Sequence, residues 1–252
     1  MQNAILVGLS RQVVLAREMD VVANNIANLN TTGYKADGSV FEEYLSSGAR
    51  ADRTGGRVSF VHDRGMWHDM SQGAAERTGS PLDIAIDGPG FLVVQTPQGD
   101  RYTRNGSMQI NATGQLVTSD GYAVLGDGGP ITLQPNDRQI QISRDGTVSV
   151  REGTSNVDSA RGKIRLVTFA NPQQLQKDGN GTFNPIGGAQ PQPAEATSGL
   201  IQGSIEKSNV RGVVEMSRMI EITRAYTQID GLLQQQNDLS QSAIDKLAEV
   251  PA

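Results

Sequence analysis

The chain has 252 residues, of which 4% are aromatic and 19% charged, with 29 glycines, 10 prolines, no cysteine and a formal net charge of −5. That length can bury a sizeable core in one or two domains, and the glycine and proline content fits many turns and short strands better than one dense core. The negative charge supplies no basic stripe for a nucleic acid or an anionic lipid surface, and without cysteine there is neither a disulfide framework nor a thiolate metal site.

The opening residues Met1 to Leu9 have no basic segment before a short apolar run, and Arg11, Arg17 and Glu18 follow soon after, so a cleaved signal peptide is not expected. No stretch reaches the ~18 apolar residues of a membrane span. A chain free of cysteine also suits passage between compartments in an unfolded state.

Residues 3 to about 30 predict one amphipathic helix. Leu15, Met19, Val22, Ile26 and Leu29 recur at spacings of 4, 3, 4 and 3, while Leu6, Leu9, Val13 and Ala16 make an adjoining stripe. Two stripes imply more than one packing partner. The amides Asn24, Asn25 and Asn28 sit beside the small Ala23 and Ala27. Amides both donate and accept, so they are expected to bridge helices of different subunits. Gly33 stands where a left-handed helix cap is expected.

From Tyr34 to about Gln72 periodicity disappears, which predicts an extended arm ordered by its neighbours. Between Ala75 and about Ala170, short alternating runs such as Leu82–Ile86, Phe91–Gln95, Tyr122–Leu125 and Thr147–Val150 predict an all-β domain. Asp87-Gly88, Asn105-Gly106, Asp120-Gly121, Asp127-Gly128 and Asp145-Gly146 punctuate it as tight turns. Residues 171 to about 203, rich in Pro, Gly, Gln and Asn, read as a linker or loose flank.

A second helix is expected from about Asn209 to Leu247. Met219, Ile222, Tyr226, Ile229 and Leu233 continue through Gln236, Ser240, Ala243, Leu247 and Val250 at spacings alternating 3 and 4. With no surface of their own to bury, the two helices are expected to stay frayed until partner copies arrive. The fold class is α+β. A central all-β domain (75–204) stands between an N-terminal helix (1–34) with its arm (35–74) and a C-terminal helix (205–252), the two helices pairing as a coiled coil on assembly.

The segment Ala23 to Asn28 followed by Asn30 to Lys35 resembles the N-terminal signature of the flagellar basal-body rod, hook and hook-associated proteins. Ser208 to Met216, with Met219-Ile220-Glu221 and Arg224-Ala225-Tyr226, resembles their C-terminal motif, and Thr78 to Phe91 and Tyr102 to Ser107 are similar to their β-domain. Asn3 to Gln12, Asp63 to Gly73 and the short length are similar to the proximal-rod members rather than the distal-rod ones. One departure is Arg211-Gly212, where glycine costs ~1 kcal/mol of helix propensity. The resemblance implies a structural subunit exported through the flagellar type III apparatus without signal cleavage. It further implies polymerisation with other copies and other rod proteins into a torque-carrying tube in the periplasm, with no cofactor, metal, small-molecule substrate or nucleic acid. The assembly interface is then Leu15, Met19, Val22, Asn24, Asn25, Ile26, Asn28, Leu29, Gly33, Met219, Ile222, Tyr226, Ile229, Leu233 and Leu247.

Catalytic readings have little to stand on. Asp83 and Asp87 flank one strand and could form a hydrolase pair, but Asp87 opens a turn. His62 and His68 are the only histidines and lack a third ligand. Asp178 to Thr182 imitates a calcium loop, yet Phe183 occupies its glycine position and Ala189 its final ligand position. No Gly-x-Ser-x-Gly, Walker or dinucleotide motif occurs, so the chain reads as a non-enzyme. The alternatives are a distal-rod or other axial subunit, a cell-wall hydrolase, or an export chaperone.

Overall fold

The computed structural model describes residues 2–45, 59–153, 157–194 and 198–248, and of these the side chains outside 2–5, 41–45, 59–64 and 247–248. The chain is α+β and divides into two units. The first, the helical unit, gathers residues 1–27, 37–68 and 211–252, and the second, the β unit, gathers 28–36 and 69–210.

In the helical unit, α1 (Gln2–Ala27) pairs with α2 (Gly212–Ala248). At 1.5 Å per residue they are about 39 and 55 Å long. Between them in sequence, β1 (Asp37–Leu45) and β2 (Ser59–His68) form an antiparallel ribbon with a bulge between Val40 and Phe41. The described part of the stretch expected to be an extended arm is therefore largely ladder. Periodicity missed it because a two-stranded ribbon need not bury one whole face, so no alternating pattern is imposed. α2 starts at Gly212, three residues later than the sequence suggests, with the Glu215 amide donating to the Arg211 carbonyl at 3.0 Å. Glu215 in its first turn and Lys246 in its last both complement the helix dipole.

The β unit runs through β3 (Ala75–Arg77), β4 (Ile84–Asp87), β5 (Phe91–Thr96), β6 (Gly99–Thr103), β7 (Met108–Ile110), β8 (Leu116–Thr118), β9 (Ala123–Gly126) and β10 (Gly129–Pro130). It continues with β11 (Asp137–Ile142), β12 (Thr147–Glu152), β13 (Asp158–Lys163), β14 (Leu166–Thr168), β15 (Leu175–Lys177), β16 (Thr182–Pro185), β17 (Gln192–Pro193), β18 (Gly199–Gln202) and β19 (Ser204–Glu206). The main sheet has the order β15-β16-β6-β5-β9-β8-β7, with β14 also on β5, and a separate sheet has the order β11-β12-β13. Two antiparallel pairs, β18 with β4 and β19 with β3, complete the unit.

β5 explains the core. Leu92 and Val94 join one apolar cluster with Ile86, Val124, Val148 and Leu200, while Phe91 and Val93 join the opposite one with Tyr102, Phe169, Leu175 and Phe183. Alternate side chains leave opposite faces of a strand, so an unbroken apolar run is what a strand covered on both faces requires. Phe91 meets Phe169 and Phe183 edge to face, with ring centroids 5.9 and 5.6 Å apart. Leu175, Phe183 and Leu200 come from the segment expected to be a loose flank, which instead supplies β15 to β18 and buried core. Its few apolar residues, set among Pro, Gly and Gln, hid strands of two to four residues from any period test.

Three Asp-Gly turns place glycine at positive φ: Gly88 at 96°, Gly121 at 85° and Gly146 at 90°. At Asp127-Gly128 the positive φ falls one residue later, on Gly129. Asn105-Gly106 is not a hairpin turn. A Cβ on Gly106 would overlap the Ile84 carbonyl oxygen, so glycine serves close backbone approach there.

Candidate assembly site

Within the helical unit, Leu15, Val22 and Ile222 are buried, with Met19, Ile26, Met219, Ala225, Tyr226 and Ile229 packed around them. The stripes read from the sequence thus face each other inside a single chain. Contacts run in opposite directions along the helices: Gln12 reaches Asp230 at 3.5 Å, Glu18 accepts from Arg218 at 2.6 Å, and Asn25 donates to Glu215 at 3.3 Å. The pair is therefore antiparallel. Leu233 extends the seam toward the start of α1, where a Cβ on Gly8 would come within 2.8 Å of it.

What remains outward is also apolar. Leu6, Leu9 and Val13 on α1, and Val213, Val214, Met216, Ile220, Leu232, Leu239 and Ile244 on α2, are exposed. By helical periodicity Leu6, Leu9 and Val13 share one face of α1, and Val213, Met216 and Ile220 share one face at the start of α2, while Val214, Leu232 and Leu239 lie about 100° round the helix from these.

Asn25 is the buried amide of the cluster, and its partners lie in its own chain. Its side-chain nitrogen donates to the Asp37 carbonyl at 2.8 Å and its oxygen accepts the Asp37 amide at 2.9 Å. The amide imitates one rung of a ladder, tying the base of β1 to α1. The Asp37 carboxylate lies 2.6 Å from His68 Nδ1, which closes the ribbon base. Asn24 is exposed, and Asn28 accepts the Thr31 hydroxyl at 3.0 Å as a local turn. Bridging between subunits was expected of these amides; within the chain Asn25 is engaged by Asp37 and Glu215. Leu29 and Tyr226 are half-buried, and the side chain of Leu247 lies outside the described residues.

The β unit holds a second, ionic feature. Lys35 and Glu206 are fully buried and Arg104 nearly so. Lys35 Nζ donates to Glu206 Oε1 and to the Ser71 carbonyl, both at 2.6 Å, and Arg104 Nε donates to Glu206 Oε2 at 2.8 Å. Gly73 N–H adds a bond to Oε1 at 2.8 Å. Two cations thus share one carboxylate. Burial, then the charge of Arg104, pulls the Lys35 pKa below the usual lysine value, while Glu206 pushes it back up. Lys177 sits 3.8 Å above the Tyr34 ring and donates to the Lys35 carbonyl at 2.6 Å. Gly33 has φ 69° as expected of a left-handed residue, but α1 ends at Ala27, so Gly33 is not its cap. Instead its N–H donates to the Glu206 carbonyl at 2.7 Å, and a Cβ there would lie 2.5 Å from the Arg104 backbone.

Sequence reasoning missed Glu206. The available signal was in β19, where Ser204 and Glu206 are buried on either side of a half-buried Ile205, inverting the usual polar-out alternation. The aspartates weighed as a catalytic pair have separate partners: Asp83 accepts the Thr78 hydroxyl at 2.7 Å and Asp87 the Arg144 guanidinium at 3.0 Å. Among the described residues no group of three His, Asp or Glu side chains could hold a metal ion, and no helix is long and apolar enough to cross a membrane.

Three family models match the chain. Residues 5–35 match the model described as flagella basal body rod protein, 85–150 the flagellar hook protein FlgE/F/G D1 domain, and 201–246 the flagellar basal body rod FlgEFG protein C-terminal segment. A flagellar basal-body rod protein FlgF of Caulobacter vibrioides is 39% identical over 99% of this chain and 100% of its own length. The FlgF of Mesorhizobium japonicum is 34% identical over 98% of both chains. A rod protein FlgG of Buchnera aphidicola is 34% identical over 82% of this chain and 85% of its own.

Proposed function

The chain belongs to the family of flagellar basal-body rod proteins, and from that premise we propose that it is a structural subunit of the proximal rod, polymerising through its terminal helices into a shaft that transmits torque. The observation that carries the mode of assembly is the set of apolar residues that α1 and α2 leave exposed outside their shared seam. Leu15, Val22 and Ile222 are occupied within the chain, so contacts with other subunits fall to the outer residues, Leu6, Leu9 and Val13 with Val213, Ile220, Leu232 and Leu239. This moves the interface to the stripe that adjoins the one first expected on α1. Relatives named FlgF at 39% and 34% identity over nearly the whole chain support the proximal position. Family membership likewise supports other copies and other rod proteins as partners, export through the flagellar type III apparatus, and a place in the basal body.

The test is complementation of a strain lacking this gene. Wild-type chain should restore motility and be recovered in basal bodies. Ile220→Asp puts a charge among the outer residues at the start of α2, where it is hydrated in the free chain but would be desolvated in a packed interface. The variant should be exported and folded yet fail to complete rods. Normal motility with Ile220→Asp would remove the face of Val213, Met216 and Ile220 from the interface.

A further inference from the structure

We propose that Glu206 is a positioning residue for rod assembly, one whose charge fixes the register of the stretches of chain that join the β unit to the helical unit. This rests on the rod reading only for its consequence in motility.

The chain passes between the two units after residues 27, 36, 68 and 210. Ala36 and Asp69, at two of those passages, are bonded to Asn209, which itself lies next to the fourth, and Gly33, five residues past the first, is bonded to Glu206. The Glu206 carbonyl takes the Gly33 amide at 2.7 Å, and its carboxylate takes the Lys35 ammonium at 2.6 Å and the Gly73 amide at 2.8 Å. Asn209, three residues on, accepts the Ala36 amide at 2.8 Å and donates to the Asp69 carbonyl at 2.8 Å, while the Asp69 amide donates to Ala36 at 2.9 Å. Residues beside three of the passages, and Gly33 five residues past the first, are thus bonded to one short segment.

That segment is itself referenced to the β core. Arg104 holds the other carboxylate oxygen at 2.8 Å, and its guanidinium donates to the carbonyls of Gly90 at 2.9 Å and Gly88 at 3.2 Å, in the turn between β4 and β5. A guanidinium is a rigid planar fork, and a carboxylate accepts along fixed directions, so the bonds run without a flexible joint from core turn to exits. Stability alone does not explain the choice. A buried carboxylate with two cations is expensive to desolvate, and a packed apolar set would serve folding equally well. What an apolar set lacks is direction. Force carried along the backbone into or out of the helical unit crosses these four passages, and the bonds of Glu206, with those of Asn209 three residues on, tie their β-unit ends together.

The test is Glu206→Gln in the full chain, which keeps size and one acceptor but removes the charge. Hydrogen exchange should show the amides of residues 33, 69 and 73 losing protection at least tenfold, while those of β5, β9 and β12 stay within twofold of wild type. In the complemented strain the variant should be exported but leave cells non-motile. Unchanged exchange at the exits, or full motility, overturns the proposal. So does loss of protection throughout β5, β9 and β12, because the charge would then be a folding requirement. Lys35→Met retains the Arg104–Glu206 pair and should keep residue 73 protected, with a smaller motility defect; an equal or larger defect would assign the register to the lysine instead. Failure of wild-type chain to restore motility would refute the rod reading, while the exchange data would still judge Glu206.

Discussion

Ile222 and Ile220 lie two residues apart on α2 and face opposite ways, the first 4% exposed and the second 53%. Ile222→Ala removes three carbons from the seam against Leu15 and Val22. At about 0.8 kcal/mol per buried methylene the transfer loss is roughly 2.4 kcal/mol, and the cavity left between two rigid helices raises the total to about 3 kcal/mol. For a unit of about 100 residues that corresponds to a melting shift of roughly 10–20 °C. The assay is thermal unfolding followed by helical circular dichroism, since α1 and α2 are both in the helical unit and the described part of the β unit contains only a single 3-10 turn at Pro172–Gln174. Ile220→Ala, the surface control, should move the helical melt by less than about 0.5 kcal/mol. Equal melts for wild type and Ile222→Ala would show that the helices are not paired in the free chain, and the frayed-terminus expectation would stand.

Asn25→Leu should cost about 2–4 kcal/mol by leaving the Asp37 amide and carbonyl without their partner, and exchange at Asp37 should rise with it; an unchanged rate there would refute the ladder-rung role. The Asp137 carboxylate is held below the usual aspartate range chiefly by its hydrogen bonds from Arg161 at 2.5 and 2.8 Å. A depressed carboxylate contributes stability above the ordinary aspartate pKa and loses it as pH falls through the folded value. Asp137→Asn should therefore weaken the β unit in urea at pH 7 and converge with wild type in strong acid, whereas a constant difference at all pH would count against the linkage. Gly106→Ala should cost about 3 kcal/mol from overlap with the Ile84 carbonyl, while Gly121→Ala, with φ 85° and open space around it, should cost only about 1–2 kcal/mol; similar costs would refute the distinction.

Period and turn chemistry carried the reading furthest where one face of an element is buried against one partner. The seam from Leu15 to Ile26 and from Met219 to Ile229 repeats strictly because α1 and α2 pack along it. The other terminal helix was legible as its partner, but not that the two pair within a single chain rather than only on assembly. A heptad stripe is the same whether the facing helix belongs to the same chain or another, and the roughly 200 intervening residues made the intramolecular choice look remote. The apolar run at β5 was legible for the same reason, since two buried faces leave a continuous signature. The ribbon of β1 and β2 was not, nor were β15 to β18, because short or half-exposed strands impose no period. Glu206 was hidden by the general expectation that charge lies outside. Only with Lys35 and Arg104 in place does a buried carboxylate become acceptable, and those partners are 171 and 102 residues away in sequence.

The helical unit is assembled from three separate stretches of chain, and this sets an order on folding. Leu15 waits for Ile222, so α1 leaves the ribosome without the helix that covers its seam, and closing a loop of some 200 residues directly is slow. The β unit offers a shorter way. Once Gly33 and Lys35 are bonded to Glu206, the loop that remains to be closed between Leu15 and Ile222 shrinks to about 35 residues. That lowers the closure entropy by roughly 1.6 kcal/mol, or about fifteenfold in effective concentration. Folding is therefore expected to proceed from the middle outward, with the helix seam zipping last. Until it does, the chain displays two apolar stripes on α1 instead of one, and it is in that interval that it is most open to premature association.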